Sequence, residues 1–224
     1  GDVNLSGSVL EGRFSIAGCR VDGDVVCIGT SFKGGLEISD VYMTDDLILS
    51  RSEHLGPIDM SRVEVGRRLV MRSATVRDRV SLRNCMLREG ADMDGTSFDR
   101  SLRLDNCSMH GPLRLKGALV AGIAEVYSSI LDGPCVADGL TTTVVSTYGS
   151  TFNSLVSFSQ VTAGCALFDC TRFNAELRAS FKDKVAWLSF IDGSFHDNSD
   201  VEASVHDLVL RGTVVNGILT LKGR

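Results

Sequence analysis

Proline and aromatic residues are scarce in this 224-residue chain, and very little in it could fill a wide core. It has three prolines, one tryptophan, four histidines and 6% aromatic residues. No stretch of 18 or more apolar residues occurs, which excludes a membrane-spanning helix. No secretory leader is recognisable. The seven cysteines are odd in number and include no CxxC pair, which argues against both a disulfide framework and a zinc site. A Gly-rich phosphate loop, a Ser-His-Asp order, an HExxH pair and an EF-hand loop are all missing. The histidines, His54, His110, His196 and His206, are dispersed. The chain therefore reads as non-enzymatic, with no cofactor and no metal. Cysteine usage points to the cytoplasm, a secreted effector being the alternative.

What is present is a repeat. From Val80 to Gly122 a five-residue phrase, apolar-x-apolar-x-(Asn/Gly), alternates with a six-residue phrase, small-x-apolar plus turn residues. Together they form an eleven-residue unit that begins at Val3 and recurs without insertion to Cys135. Its third position is apolar in every copy, among them Leu5, Ile38, Leu82, Leu104 and Leu115. Alternation of period two, in phrases too short for a helix, specifies very short strands with one face inward. Gly12, Gly23, Gly34, Gly56, Gly111, Gly122 and Gly133 share one corner position, where positive φ is expected.

Like residues return every second unit. Position 6 holds Ser8, Thr30, Ser52, Ala74, Thr96 and Ala118 in one series, and Cys19, Val41, Val63, Cys85, Cys107 and Ser129 in the other. One coil is thus about 22 residues with four sides. Short parallel strands without helices give an all-β fold, a right-handed four-sided parallel β-helix. About ten coils at ~4.8 Å make a rod of roughly 50 Å. We read residues 1–224 as one domain, regular over 3–144 and less regular over 145–224, and as part of a longer chain. Units restart at Val145, Val156, Ala166, Leu177, Leu188, Ser199, Leu208 and Leu219. Lys182 and Lys184 land on nominally inward positions and call for a bulge or loop. Cys19, Cys27, Cys85, Cys107 and Cys135 fall on inward positions as small buried hydrophobes, with Cys85 and Cys107 stacked and reduced.

Ala74-Thr-Val-Arg-Asp, Thr96-Ser-Phe-Asp-Arg and Cys107-Ser-Met-His-Gly resemble the motif of the pentapeptide-repeat superfamily. That motif is a small residue and, two positions on, a large apolar one. The other phrase of each unit departs from it, starting with a large residue such as Leu102 or Leu113. The resemblance implies the four-sided helix. It also implies an alternative function, since some members mimic DNA and bind type II topoisomerases. The net charge of −5 has the right sign for that.

Three features bear on partners. Val26, Ile48 and Val70 are apolar at an outward position of successive coils, with Ile28 beside them, and form a candidate protein contact. β-propensity on a sheet face is the plain alternative. Second, Arg62, Arg67, Arg68, Arg72, Arg77, Arg79, Arg83 and Arg88 oppose only Glu64 and Asp78, a belt that could bind anions or could be paired to acidic neighbours along the rod. No aromatic is interleaved with the arginines, so nucleic acid is disfavoured. Third, a stack of coils has two ends, and open ends invite self-association. We expect a scaffold or protein-interaction module that engages a protein partner or its own copies through the coil ends. His54 sits at an inward position, as a buried neutral residue or a pH switch. Asp45 and Asp46 occupy a corner, read as a solvated turn.

Overall fold

In a computed structural model, which describes residues 1–223, the chain is an all-β solenoid of parallel strands and contains no helix. Hence no helix among the described residues is long and apolar enough to cross a membrane. Each coil has four faces. The first carries Val25–Val26, Leu47–Ile48 and Leu69–Val70, and the second Ser31–Phe32, Glu53–His54 and Thr75–Val76. The third begins at Leu36, Ile58 and Val80, and the fourth ends at Met43, Val65 and Leu87. Strand Leu36–Met43 shows how the pattern works: Leu36, Ile38, Val41 and Met43 point inward and are buried, while the residues between them face out. The inward set is continuous from Val21 to Ala203.

Strands pair 22 positions apart, as in Val25↔Leu47↔Leu69↔Ala91. The step falls to 21 at Cys135↔Val156 and Val156↔Leu177, and to 20 at Ser199↔Leu219. Every restart expected in the less regular half is a strand register position. Lys182 and Lys184 lie in an exposed turn between strands, so neither ammonium enters the core. The interior changes character along the rod. Leu, Met, Val and Cys fill the first half, whereas Phe152, Phe173 and Phe195 stack at 5.5 and 5.2 Å in the second. Larger rings in that column accompany the shorter coils.

Three expectations need correcting. Of the seven corner glycines, only Gly23 has positive φ. The left-handed residues instead close the five-residue phrases. Gly29, Arg51, Ser73 and Gly95 form one such column; Asp40, Arg62, Asn84, Asn106 and Ser128 form another. The corner glycines are there for a different reason, the close approach of neighbouring coils. A Cβ on Gly34 would lie 2.4 Å from Arg13 N, and one on Gly111 would lie 2.2 Å from Glu89 C. Gly117 is the reverse case, with φ +63° and open space around it. We expect Gly111→Ala to cost roughly 2 kcal/mol, because backbone atoms must shift, and Gly117→Ala about 1 kcal/mol of left-handed strain. Thermal denaturation of the two variants checks this ordering.

The second correction is Cys19, which is exposed because it lies in the first coil, where one side of the interior is uncovered. Cys27, Cys85, Cys107 and Cys135 are buried free thiols, as expected. Cys85 and Cys107 are stacked in adjacent coils, with Ser108 N donating to Cys85 O at 2.9 Å. The neighbouring Cys85 and burial together push the Cys107 thiol above its ordinary range. Asp46 is not solvated either: it is 6% exposed, and its Oδ1 accepts Arg68 N at 2.8 Å. Asp24 serves Asp46 N in the same way, and Asp2 serves Asp24 N. This corner uses a carboxylate column to satisfy backbone donors that the strand ladder leaves free.

Candidate interaction surface

The ladder expected on the first face is there. Val26, Ile48 and Val70 are paired in register on three successive coils, with Ile28 two residues further along. All four point outward and are half-buried. The column starts from Asn4 and ends at Asp92, which Arg72 clamps at 2.5 Å. The apolar strip is therefore short, with polar residues at both ends.

A second outward apolar column was not found from the sequence. Ile123, Val144, Cys165 and Trp187 pair in register through four coils, at the leading edge of the third face. Ile123 is 44% and Trp187 42% exposed. In earlier coils the position just before the third-face strand holds Arg13, Gly35, Pro57, Arg79 and Ser101, so nothing apolar precedes it there. The column could have been read by aligning residues coil by coil. The drift from 22 to 21 residues hides it from a fixed period.

The arginine belt is mostly paired. Arg62 makes a bidentate contact with Asp40 at 2.6 and 2.7 Å. Both residues sit in a left-handed column, which places the guanidinium over the carboxylate of the coil before it. The pairing holds the Asp40 carboxyl below its usual range. Arg67 reaches Glu89 at 3.6 Å, Arg68 Asp46 at 3.4 Å, Arg77 Asp99 at 3.2 Å, Arg79 Asp59 at 3.2 Å and Arg88 Glu64 at 2.6 Å. Of the eight belt arginines only Arg83 has no carboxylate within 4.0 Å among the described residues. The sequence showed a block of like charge because the partners lie a coil away.

Other polar columns follow the same rule. His110 Nδ1 and Asn153 Nδ2 both contact the Asp132 carboxylate at 2.7 Å, and Asn174 Nδ2 donates to Asn153 Oδ1 at 2.6 Å. Among the described residues no three His, Cys, Asp or Glu side chains converge as a ligand set. A surface groove of about 580 Å³ follows the corner between the third and fourth faces and is lined by Cys19, Arg20, Tyr42, Arg62, Glu64 and Met86 among others. Arg20 lies over the Tyr42 ring at 4.6 Å there and pairs with Asp22 at 2.5 Å, so its guanidinium is already engaged.

At the last coil the interior column is uncovered. Leu208, Leu210, Val215 and Leu221 are 37–47% exposed, whereas their register partners Leu188, Phe190, Phe195 and Val201 are at most 2% exposed. Comparison with known proteins adds nothing to this picture: no family model, curated protein or solved structure matches the chain.

Proposed function

We propose that this chain is a non-enzymatic interaction module, a rigid rod that presents outward apolar columns to a protein partner. The observation that carries this reading is the Ile123–Val144–Cys165–Trp187 column, with the chain's one tryptophan 42% exposed at its end. An outward apolar side chain stays unfavourably hydrated unless something covers it, and tryptophan is over-represented among residues that dominate interfaces. The first-face strip Val26, Ile28, Ile48 and Val70 offers a second, smaller contact on the other half of the rod. The parallel ladder holds each column at fixed spacing, so a partner meets a preorganised surface and loses little entropy ordering it.

The DNA-mimic alternative draws on the pentapeptide-repeat resemblance and on the net charge of −5. The paired belt adds no continuous negative stripe to it, and micromolar protein that failed to inhibit a gyrase supercoiling assay would end it.

A photo-reactive amino acid placed at Trp187 or at Ile48, in cells that express the protein, tests the main reading. The expected result is a discrete cross-linked species from either site and none from Ser97, an outward residue of the second face. Equal labelling at all three positions, or none, overturns it.

A further inference from the structure

Arg83, the one belt arginine without a carboxylate, is not isolated. It borders a depression of about 340 Å³ on the third face, lined also by Arg79, Ser81, Ser101, Arg103 and Asp105. The strand ladder sets this arrangement. Ser81 pairs with Arg103 and Arg83 with Asp105 in the next coil, while Arg79 and Ser101 occupy the corner that leads into these strands. Arg79 leans toward Asp59 in the coil before, at 3.2 Å. Arg103 leans the opposite way, toward Glu125 at 3.3 Å, with its guanidinium 5.2 Å from the Tyr127 ring. The two guanidinium groups are thus drawn apart along the rod, and the floor between them is open. Neither the Ser81 nor the Ser101 hydroxyl has a hydrogen-bond partner among the described residues.

We propose that this depression binds the phosphate of a small phosphate monoester. The unpaired Arg83 and two uncommitted hydroxyls face one space, and the carboxylate-paired guanidinium groups of Arg79 and Arg103 stand at its two ends. That suits a tetrahedral oxyanion with three free acceptor oxygens better than a planar carboxylate, which a single arginine satisfies. Arg83 supplies charge that nothing else in the fold neutralises. Asp105 lines the depression with its charge offset by Arg103, and Asp59 and Glu125 stand on the coils before and after and repel any anion that extends beyond it, so a polyanion such as nucleic acid is rejected while a compact ligand is accepted. The volume leaves room for a small organic group beyond the phosphate. This inference does not rest on the protein-contact reading: the depression is formed by arginine, serine and aspartate side chains, and the apolar column that begins at Ile123 starts one coil beyond Ser101.

The test is a titration with glycerol phosphate, followed by backbone amide NMR at constant ionic strength. Saturable shifts centred on Ser81, Arg83, Ser101 and Arg103 are expected, with a dissociation constant of about 1 mM. Arg83→Gln should weaken binding about tenfold, the loss of one charge-assisted contact. Arg77→Gln removes a belt arginine that is already paired with Asp99, and should change binding less than about twofold. Inorganic phosphate should bind at the same residues. Vesicles containing phosphatidic acid should not bind, because a flat bilayer cannot reach between the rim carboxylates. Shifts spread evenly along the belt, no saturation, equal effects of the two variants, or vesicle binding without glycerol phosphate binding would each overturn the proposal.

Discussion

Leu104→Asp should abolish cooperative folding of the rod, while Arg103→Asp, one residue away, should lower its melting temperature by only a few degrees. Leu104 is 1% exposed and is stacked between Leu82 and Val126 of the adjacent coils. A carboxylate there has no cation or donor to meet, and the coils on both sides prevent it from reaching water. The penalty, including the lost leucine, exceeds about 4 kcal/mol, a large part of the 5–15 kcal/mol that a domain of this size possesses. The Arg103 side chain is 45% exposed, and its contacts with Asp105 and Glu125, at 3.4 and 3.3 Å, are solvent-screened. Losing them and adding a like charge costs about 1 kcal/mol. Circular-dichroism melts of the two variants decide the matter; similar midpoints would mean that the in/out register is wrong.

The second large effect is a loss of stability on acidification, centred on His54. The ring is fully buried and stacked on Phe32 at 4.4 Å, with Val76 in register on its other side. Ser52 Oγ donates to Leu49 O at 2.5 Å, so its lone pair accepts the Nε2 proton of His54 at 2.8 Å. Nδ1 is left as a bare lone pair with no partner. Protonating it would bury an uncompensated charge, and burial accordingly lowers the His54 pKa from 6.5 to about 4. The unfolded chain takes up a proton near pH 6.5, whereas the folded one resists until about pH 4. Stability contributed by neutral His54 is therefore complete above pH 6.5, falls as pH drops toward 4, and is flat below that. At about 1.4 kcal/mol per pH unit the loss approaches about 3 kcal/mol. His54→Phe keeps the stack on Phe32 and leaves Ser52 its bond to Leu49, so urea titrations of that variant should show this part of the pH dependence removed. A wild-type and a His54→Phe protein with parallel profiles between pH 4 and 6.5 would refute the assignment.

These two expectations draw on the sequence to different degrees. That Leu104 faces in and Arg103 out was legible from alternation alone, because a strand has a period of two and the eleven-residue unit never slips before Cys135. That His54 is inward was legible from its column. Its tautomer was not, since it depends on a serine hydroxyl two residues away whose own proton is committed to a carbonyl.

The sequence by itself determined the coil. Most inward residues stack on a like residue about 22 positions on, so the interior columns are written directly into the chain as a periodic signal, and even the shortened coils keep apolar residues on their marks. What happens between coils was decided only in three dimensions. Glycine at the corners reads as a turn signal, but it is required because a Cβ on Gly111 would strike the backbone of the neighbouring coil. The arginine block reads as a cationic belt, but each guanidinium except that of Arg83 finds a carboxylate elsewhere, mostly on a coil before or after its own. The Ile123–Trp187 column is invisible at the 22-residue period of the regular coils, because two of its three steps are 21 residues. Inward positions repeat because each must satisfy the same narrow interior, and composition alone records that demand. Outward side chains answer to whichever atoms lie within a few ångströms on adjacent coils, and that neighbourhood exists only once the chain has wound.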